Sequence, residues 1–298
     1  MTLQERSVVL GFKFAWATFG FVPKSILHGV ASFVADRATS KNGVGVRRLR
    51  FNISRVLGQE IEDPKTLQIA KLAMRSYMHY WVDMFSMTHK SNSYISDNTK
   101  MINPSEIETA LNAKQGVVVS VTHSGNWDLA AAFVALKFGS ITTVAERLRP
   151  VELFDEFTKH RGKRNVIIFP HKGGNVPPSV ALAEVLREGK LIGLVSDRDM
   201  SHQGTEVEFF GHKSKMPLGA AKLAIENKAL LIPAAVYEDS GKTVIEFYPS
   251  IDLKSGDTQV VTESLAKVFE VIVSKHPENW HMLQRIWLDM PNGQEAVS

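Results

Sequence analysis

From residue 117 onward, strand-like apolar runs and helix-like runs alternate along the chain. The strand-like runs cover 117–122, 141–145, 165–169, 191–196, 205–210, 230–237 and 243–248. Helix-like runs fill several of the gaps between them, at 127–137, 151–161, 178–187 and 218–227, and a last one covers 258–275. Strands separated by helices of this length predict an α/β sheet that is parallel at its centre, because parallel neighbours need a crossover connection. The last two strands are joined only through Asp239-Ser240-Gly241-Lys242, which predicts a hairpin and makes the sheet mixed.

Upstream, 64–88 reads as one long helix. Leu67, Ala70, Tyr77, Tyr80, Trp81 and Met84 recur at helical spacing behind an Asp63-Pro64 start signal. Residues 91–103 are polar and read as loop, and 104–113 as a short helix. The first forty residues hold the apolar stretch 8–22, which Lys13 interrupts and Pro23-Lys24 ends. It is short of the ~20 residues that span a bilayer, and no small-residue cleavage site follows it. Two short amphipathic helices meeting at Pro23 are expected instead. With Trp16, several Phe and a basic segment behind them, they suit a membrane interface, or they pack on the rest of the protein. The expected organisation is an N-terminal helical and basic segment (1–63) and an α/β body (64–298), forming a single domain overall.

The chain has 298 residues, a net charge of +4 and no cysteine. The absence of cysteine excludes disulfides, Cys-ligated metal and thiol catalysis. The bases are clustered: Arg37, Lys41, Arg47, Arg48, Arg50 and Arg55 follow one another without an intervening acid. Arg147, Arg149, Lys159, Arg161, Lys163 and Arg164 form a second group. Such clusters attract phosphates or anionic lipid headgroups, or else they keep a face solvated.

In open α/β sheets, ligands bind beyond the carboxyl ends of the strands. Here the predicted strands are followed in turn by His123, by Glu146-Arg147, by His171-Lys172 and by Asp197-Arg198-Asp199. His123 is the natural general base. Asp128, five residues on, either orients its imidazole or is only a favourable charge at a helix start that Ser124 or Asn126 caps. No HxH, HExxH or DxDxD spacing points to a metal, and neither a GxSxG elbow nor a P-loop is present.

His123-Ser-Gly-Asn-Trp-Asp128 resembles the His-x-x-x-x-Asp signature of membrane-associated acyltransferases. It is followed in order by Ala145-Glu146-Arg147, Leu194-Val195-Ser196-Asp197-Arg198-Asp199, Val207-Glu208-Phe209-Phe210-Gly211 and Pro217-Leu218-Gly219-Ala220-Ala221. As a set these resemble the lipid A lauroyl/myristoyl acyltransferase superfamily over about residues 45–287. Two details resemble its actinobacterial phosphatidylinositol mannoside branch: Gly45-Val46-Arg47-Arg48-Leu49-Arg50-Phe51-Asn52, and Asp197-Arg198-Asp199 where the lipid A enzymes carry DQD.

The resemblance implies a glycerolipid-acyltransferase-like α/β fold with a membrane-facing N-terminal helical cap. It implies a peripheral enzyme on the cytoplasmic face of the plasma membrane, with no bound cofactor and no nucleic acid partner. That enzyme would move a long acyl chain, typically palmitoyl, from acyl-CoA to a mannose hydroxyl. His123 and Asp128 would be the catalytic pair, with Asp197 a second carboxylate near the histidine. Asn126, Glu146, Arg147, Arg149, Arg161, Arg164 and Arg198 would contact substrates. Two alternatives remain: a lipid A-type enzyme using acyl carrier protein, and a non-catalytic lipid-binding protein.

Overall fold

The computed structural model describes residues 2–148, 150–200 and 203–290. The chain opens with α1 (Leu3–Thr18), a short 3₁₀ turn, α2 (Lys24–Lys41) and α3 (Val44–Leu57). α1 begins on a capping box, in which the Thr2 hydroxyl and the Glu5 carboxylate each take the other's backbone N–H. Pro23 separates α1 from α2, so the expected pair of helices is present. The basic run forms the end of α2 and a third helix, α3. Asn42 in the left-handed conformation ends α2, and Gly58 ends α3 in the same way.

α4 (Pro64–Ser86) starts with Asp63 accepting from the Lys65 amide and with Pro64 in its first turn. It is the spine of the N-terminal half, with α1, α2 and α3 all packed against it. The polar stretch expected to be loop is instead α5 (Asn92–Asp97) and an edge strand, β1 (Thr99–Ile102). Thr99 to Ile102 pairs residue by residue with Thr243 to Glu246, so tertiary pairing overrides a weak local signal.

The remainder runs α6 (Ser105–Asn112), β2 (Val117–Val121), α7 (Trp127–Phe138), β3 (Ile141–Ala145), α8 (Val151–Gly162), β4 (Val166–Pro170), α9 (Pro178–Arg187) and β5 (Leu191–Val195). Then come β6 (Thr205–Phe209), β7 (His212–Met216), α10 (Gly219–Asn227), β8 (Leu230–Asp239), β9 (Lys242–Phe247) and α11 (Thr258–Lys275). Among the described residues the main sheet has seven strands, in the order β1-β9-β8-β2-β5-β3-β4. β8, β2, β5, β3 and β4 are mutually parallel, and β9 returns antiparallel through the hairpin. The sheet is therefore mixed and largely parallel, flanked by helices on both faces.

The strand expected at 205–210 does not join this sheet; β6 pairs with β7 in a separate two-stranded ribbon. Apolar side chains are buried on both faces of the main sheet. Leu182, Leu186, Ile192, Leu231 and Phe269 lie on one side, and Val119, Val134, Ile141, Ile232 and Phe247 on the other. A third cluster joins Val9, Ala15 and Trp16 of α1 to Met84 and Phe85 of α4 and Phe157 of α8.

Among the described residues no helix is long and apolar enough to cross a membrane. α2 is nonetheless two-faced. Leu27, Ala31 and Ala35 are buried, while Ile26, Val30, Phe33 and Val34 are exposed. Leu10 and Phe14 of α1 and Phe21 of the turn between the two helices are exposed as well.

Candidate active site

β2 and β5 are neighbours with Val121 opposite Val195, so the chain leaves both strands in step. Two residues further along each strand stand His123 and Asp197. His123 Nδ1 lies 2.5 Å from Asp197 Oδ1, and the His123 amide donates to Asp197 Oδ2 at 2.9 Å. Asp197 is completely buried, whereas the His123 side chain keeps 26% of its surface exposed. Burial alone would push the Asp197 carboxyl up. The attraction of His123 and three donated hydrogen bonds, one of them from Trp280, bring it below the usual carboxylate range. Asp197 is thus held ionised, with the Nδ1 proton of the imidazole directed at it. Nε2 is left as the basic nitrogen.

The loop behind His123 is tightly specified. The Thr122 and Ser124 hydroxyls meet at 2.7 Å. Gly125 has φ +62°, and a Cβ there would come within 2.5 Å of the Val236 carbonyl oxygen, so only glycine fits. Asn126 then caps α7 by accepting from the Leu129 amide at 3.0 Å. This cap engages the side chain of Asn126, a residue expected to contact substrate.

Asp128 does not meet His123. It sits in the first turn of α7, turned towards α4 and α8, and is 4% exposed. Arg161 of α8 grips it with Nε on Oδ1 at 2.5 Å and a terminal nitrogen on Oδ2 at 2.9 Å, and the Tyr80 hydroxyl of α4 donates to Oδ2 at 2.7 Å. The expected His123–Asp128 contact is replaced by a buried Tyr80–Asp128–Arg161 cluster, because a helix start intervenes between the two motif residues and redirects the carboxylate. Burial would lower the Arg161 guanidinium, but Asp128 beside it raises it further above its ordinary value; burial, and Asp128 after it, push the Tyr80 phenol up. Arg161 and Tyr80 therefore keep their protons across the physiological range. Beside this cluster is a hollow of about 300 Å³ including its open mouth, walled by Trp16, Met84, Met87 and Phe157.

The other expected substrate contacts are dispersed. Glu146 and Arg147 follow β3, which β5 separates from β2. At about 4.8 Å per strand this sets them roughly 10 Å to the side of His123. Both are exposed, and Arg147 donates to the Gly173 carbonyl at 2.9 Å. Arg164 is tied to the backbone carbonyls of Met87 and Lys90 and to the Asn92 side chain, so its guanidinium braces the segment after α4. Arg198 is half-buried directly after Asp197. Arg149 lies outside the described residues. In the N-terminal basic run, Arg55 forms a bidentate pair with Asp289 and covers the Phe51 and Trp287 rings, so it is spent internally.

A segment that the sequence reading passed over completes the site. Residues 279–281 lie antiparallel to the His123 loop, with Ser124 bridged to Trp280. The Gly125 amide donates to the Asn279 carbonyl at 2.9 Å, and the His281 amide donates to the His123 carbonyl at 2.8 Å. The Trp280 indole N–H donates to Asp197 Oδ2 at 2.9 Å. His281 is buried with Nε2 2.9 Å from the Ser76 hydroxyl, and burial lowers it to about 3, so it stands neutral. The sequence pattern places Tyr80 only among the helically spaced apolar positions of 64–88. The sole sequence signal for Trp280 and His281 was a tryptophan and a histidine side by side in an otherwise unassigned stretch.

A buried carboxylate, a part-exposed imidazole and strand-end placement make an arrangement able to accept a proton from a substrate. The profile of the bacterial lipid A biosynthesis acyltransferase family matches residues 3–289. The chain belongs to this family and is an acyltransferase. It is 36% identical over 280 residues to a phosphatidylinositol mannoside acyltransferase of Mycolicibacterium smegmatis, covering 94% of this chain and 91% of that protein. A protein of the same name from Mycobacterium tuberculosis is also 36% identical, over 258 residues, covering 85% of this chain and 80% of that protein.

Proposed function

We propose that this acyltransferase moves a long acyl chain, palmitoyl in the first instance, from acyl-CoA to a mannose hydroxyl of a phosphatidylinositol mannoside. The His123–Asp197 pair carries the chemical part of this reading, and the names of the two mycobacterial relatives carry the substrate. His123 Nε2 takes the proton of the sugar hydroxyl as its oxygen bonds to the thioester carbonyl carbon. Asp197 holds the Nδ1 proton and steadies the imidazolium that forms. The tetrahedral intermediate then breaks its C–S bond, and the departing CoA sulfur recovers the proton from Nε2. A base of this kind contributes about 10²–10⁴-fold.

The oxyanion needs donors. The Ser124 and Gly125 amides are already engaged by the Thr122 and Asn279 carbonyls, and Arg161 commits two nitrogens to Asp128. The first-turn amides of α7, at Trp127 and Asp128, are the donors this reading assigns, at the positive end of a helix. Arg147 and Arg198, with Arg149, supply positive charge for the CoA or inositol phosphates.

The exposed apolar set Leu10, Phe14, Phe21, Ile26, Val30 and Phe33 is read as the surface that enters the interfacial layer of the cytoplasmic leaflet. Arg37 and Lys41, both exposed, would meet anionic headgroups. Labelled palmitoyl-CoA offered with a mannosylated inositol lipid should give a labelled glycolipid with wild type and none above background with His123→Ala. Turnover only with acyl carrier protein and a lipid A precursor would overturn the substrate assignment. Phe14→Ser combined with Phe33→Ser should reduce co-sedimentation with anionic vesicles, and unchanged sedimentation would remove the docking surface.

A further inference from the structure

We infer that Trp280 is a positioning residue for acyl transfer: its indole N–H fixes the Asp197 carboxylate in the one orientation that serves His123. The inference rests on the reading of His123 as the general base. Asp197 has two oxygens and, among the described residues, receives three N–H donors. Oδ1 faces His123 Nδ1, while Oδ2 takes both the His123 amide and the Trp280 indole. Two of these donors belong to His123 itself, so they move with the base and cannot fix the carboxylate independently of it. Trp280 is the donor that comes from another part of the chain. Rotation about the last bond of an aspartate side chain is soft, and an outside donor on Oδ2 is what sets the plane of the carboxylate.

The anchor for that donor is itself built. Trp280 is completely buried, with its ring 6.2 Å from that of Phe209. Its backbone is bridged to Ser124, and both neighbours are hydrogen-bonded to the His123 loop, Asn279 through the Gly125 amide and His281 through the His123 carbonyl. One short segment therefore holds both the base and the acid that orients it. The single polar atom of the indole is spent on Asp197, which is the use expected of a buried tryptophan N–H.

The donor also drains charge from the carboxylate. Without it, Asp197 would hold an imidazolium more tightly. Two titratable groups packed there are silent in the working range. His281 on the same segment is kept neutral by burial, and Tyr80 from α4 keeps its proton.

The test measures kcat, KM and the pH profile of palmitoyl transfer by the full-length protein. Trp280 is replaced by its sulfur isostere 3-benzothienylalanine, which keeps the shape and deletes the N–H, and in parallel by Trp280→Phe. Loss of a hydrogen bond to a charged group predicts a fall of about tenfold in kcat with KM values unchanged. The acid limb of the profile should move up by about one pH unit. Phe209→Leu, which loosens the ring packing and keeps the N–H, should lower thermal stability and leave the acid limb in place.

A wild-type kcat and acid limb in the isostere variant overturns the inference. So does a Phe209→Leu variant that shifts the limb equally, since the effect would then be packing. His123→Ala separates the two levels. If it retains transfer, the general-base reading fails; if it is inactive while the isostere behaves as wild type, only the role of Trp280 fails.

Discussion

Asp197 and Asp128 are both buried carboxylates near the His123 loop, and they are spent in opposite ways. Asp197 faces a histidine, a side-chain type able to accept and return a proton, and it leaves the second nitrogen of that ring accessible. Asp128 faces an arginine, which never gives up its proton, and shares it with a tyrosine held protonated by burial. The first arrangement can move a proton and the second can only hold charge in place. The His-x-x-x-x-Asp motif therefore splits by role. Its histidine stands where a general base could act, the role proposed for it, and its aspartate ties the start of α7 to α4 and α8, on which the N-terminal helices are packed.

The comparison breaks most sharply by exchanging each acid for a neutral group. Asp197→Asn keeps the volume but no longer dictates which imidazole nitrogen carries the proton, so kcat should fall by about 10²–10⁴-fold in the palmitoyl-transfer assay. Asp128→Ala should act on folding first. It strands the Arg161 charge in the interior, at a cost of about 3–5 kcal/mol, read as a lower denaturant midpoint. The activity that remains should show the wild-type acid limb. If instead Asp128→Ala moved the limb and Asp197→Asn did not, the assignments would have to be reversed.

Tyr80→Phe is a finer cut through the second cluster. It removes the donor to Asp128 Oδ2 and leaves the Arg161 grip intact. The expected loss is about 1.5–3 kcal/mol of stability, the range for a hydrogen bond to a charged group, with an unaltered pH profile. Equal midpoints for Tyr80→Phe and wild type would mean that the hydroxyl contributes nothing to the cluster.

These contrasts explain what could be read in advance. The strand and helix runs were legible because burial on both faces makes each parallel strand an apolar run, as in Val117–Val121 and Leu191–Val195. The order of the strands was not. Nothing in one chain says that β5 lies beside β2 while β3 lies beyond it, and that adjacency is what gives His123 to Asp197. β1 and β7 went unread because Thr99–Ile102 and His212–Met216 are short and polar, their pairing supplied by partners distant in sequence or by the ribbon turn. The histidine was legible from its strand end. Spacing along the chain points to Asp128 as its acid, whereas the family resemblance already sets Asp197 near the histidine; the register of the two strands makes Asp197 the partner.

The smallest effect concerns a second histidine that the chemistry does not use. Unfolded, His281 takes up a proton near pH 6.5; folded, burial keeps it neutral down to about 3. Between those values the unfolded chain binds the extra proton, so stability falls as the pH is lowered, by about 1.4 kcal/mol per pH unit once well below 6.5. His79, lowered to about 4 by burial and by the neighbouring His28, adds a slope of the same sign. Asp197 has a depressed carboxyl, and its contribution is lost only at lower pH, below the unfolded aspartate value of about 3.9. Denaturant midpoints measured from pH 7 to pH 5 should therefore decline steadily in the wild type. His281→Gln, which can still reach the Ser76 hydroxyl, should flatten that decline by one proton's worth and leave the His79 part. A variant with the full wild-type slope would show that His281 is protonated in the folded protein.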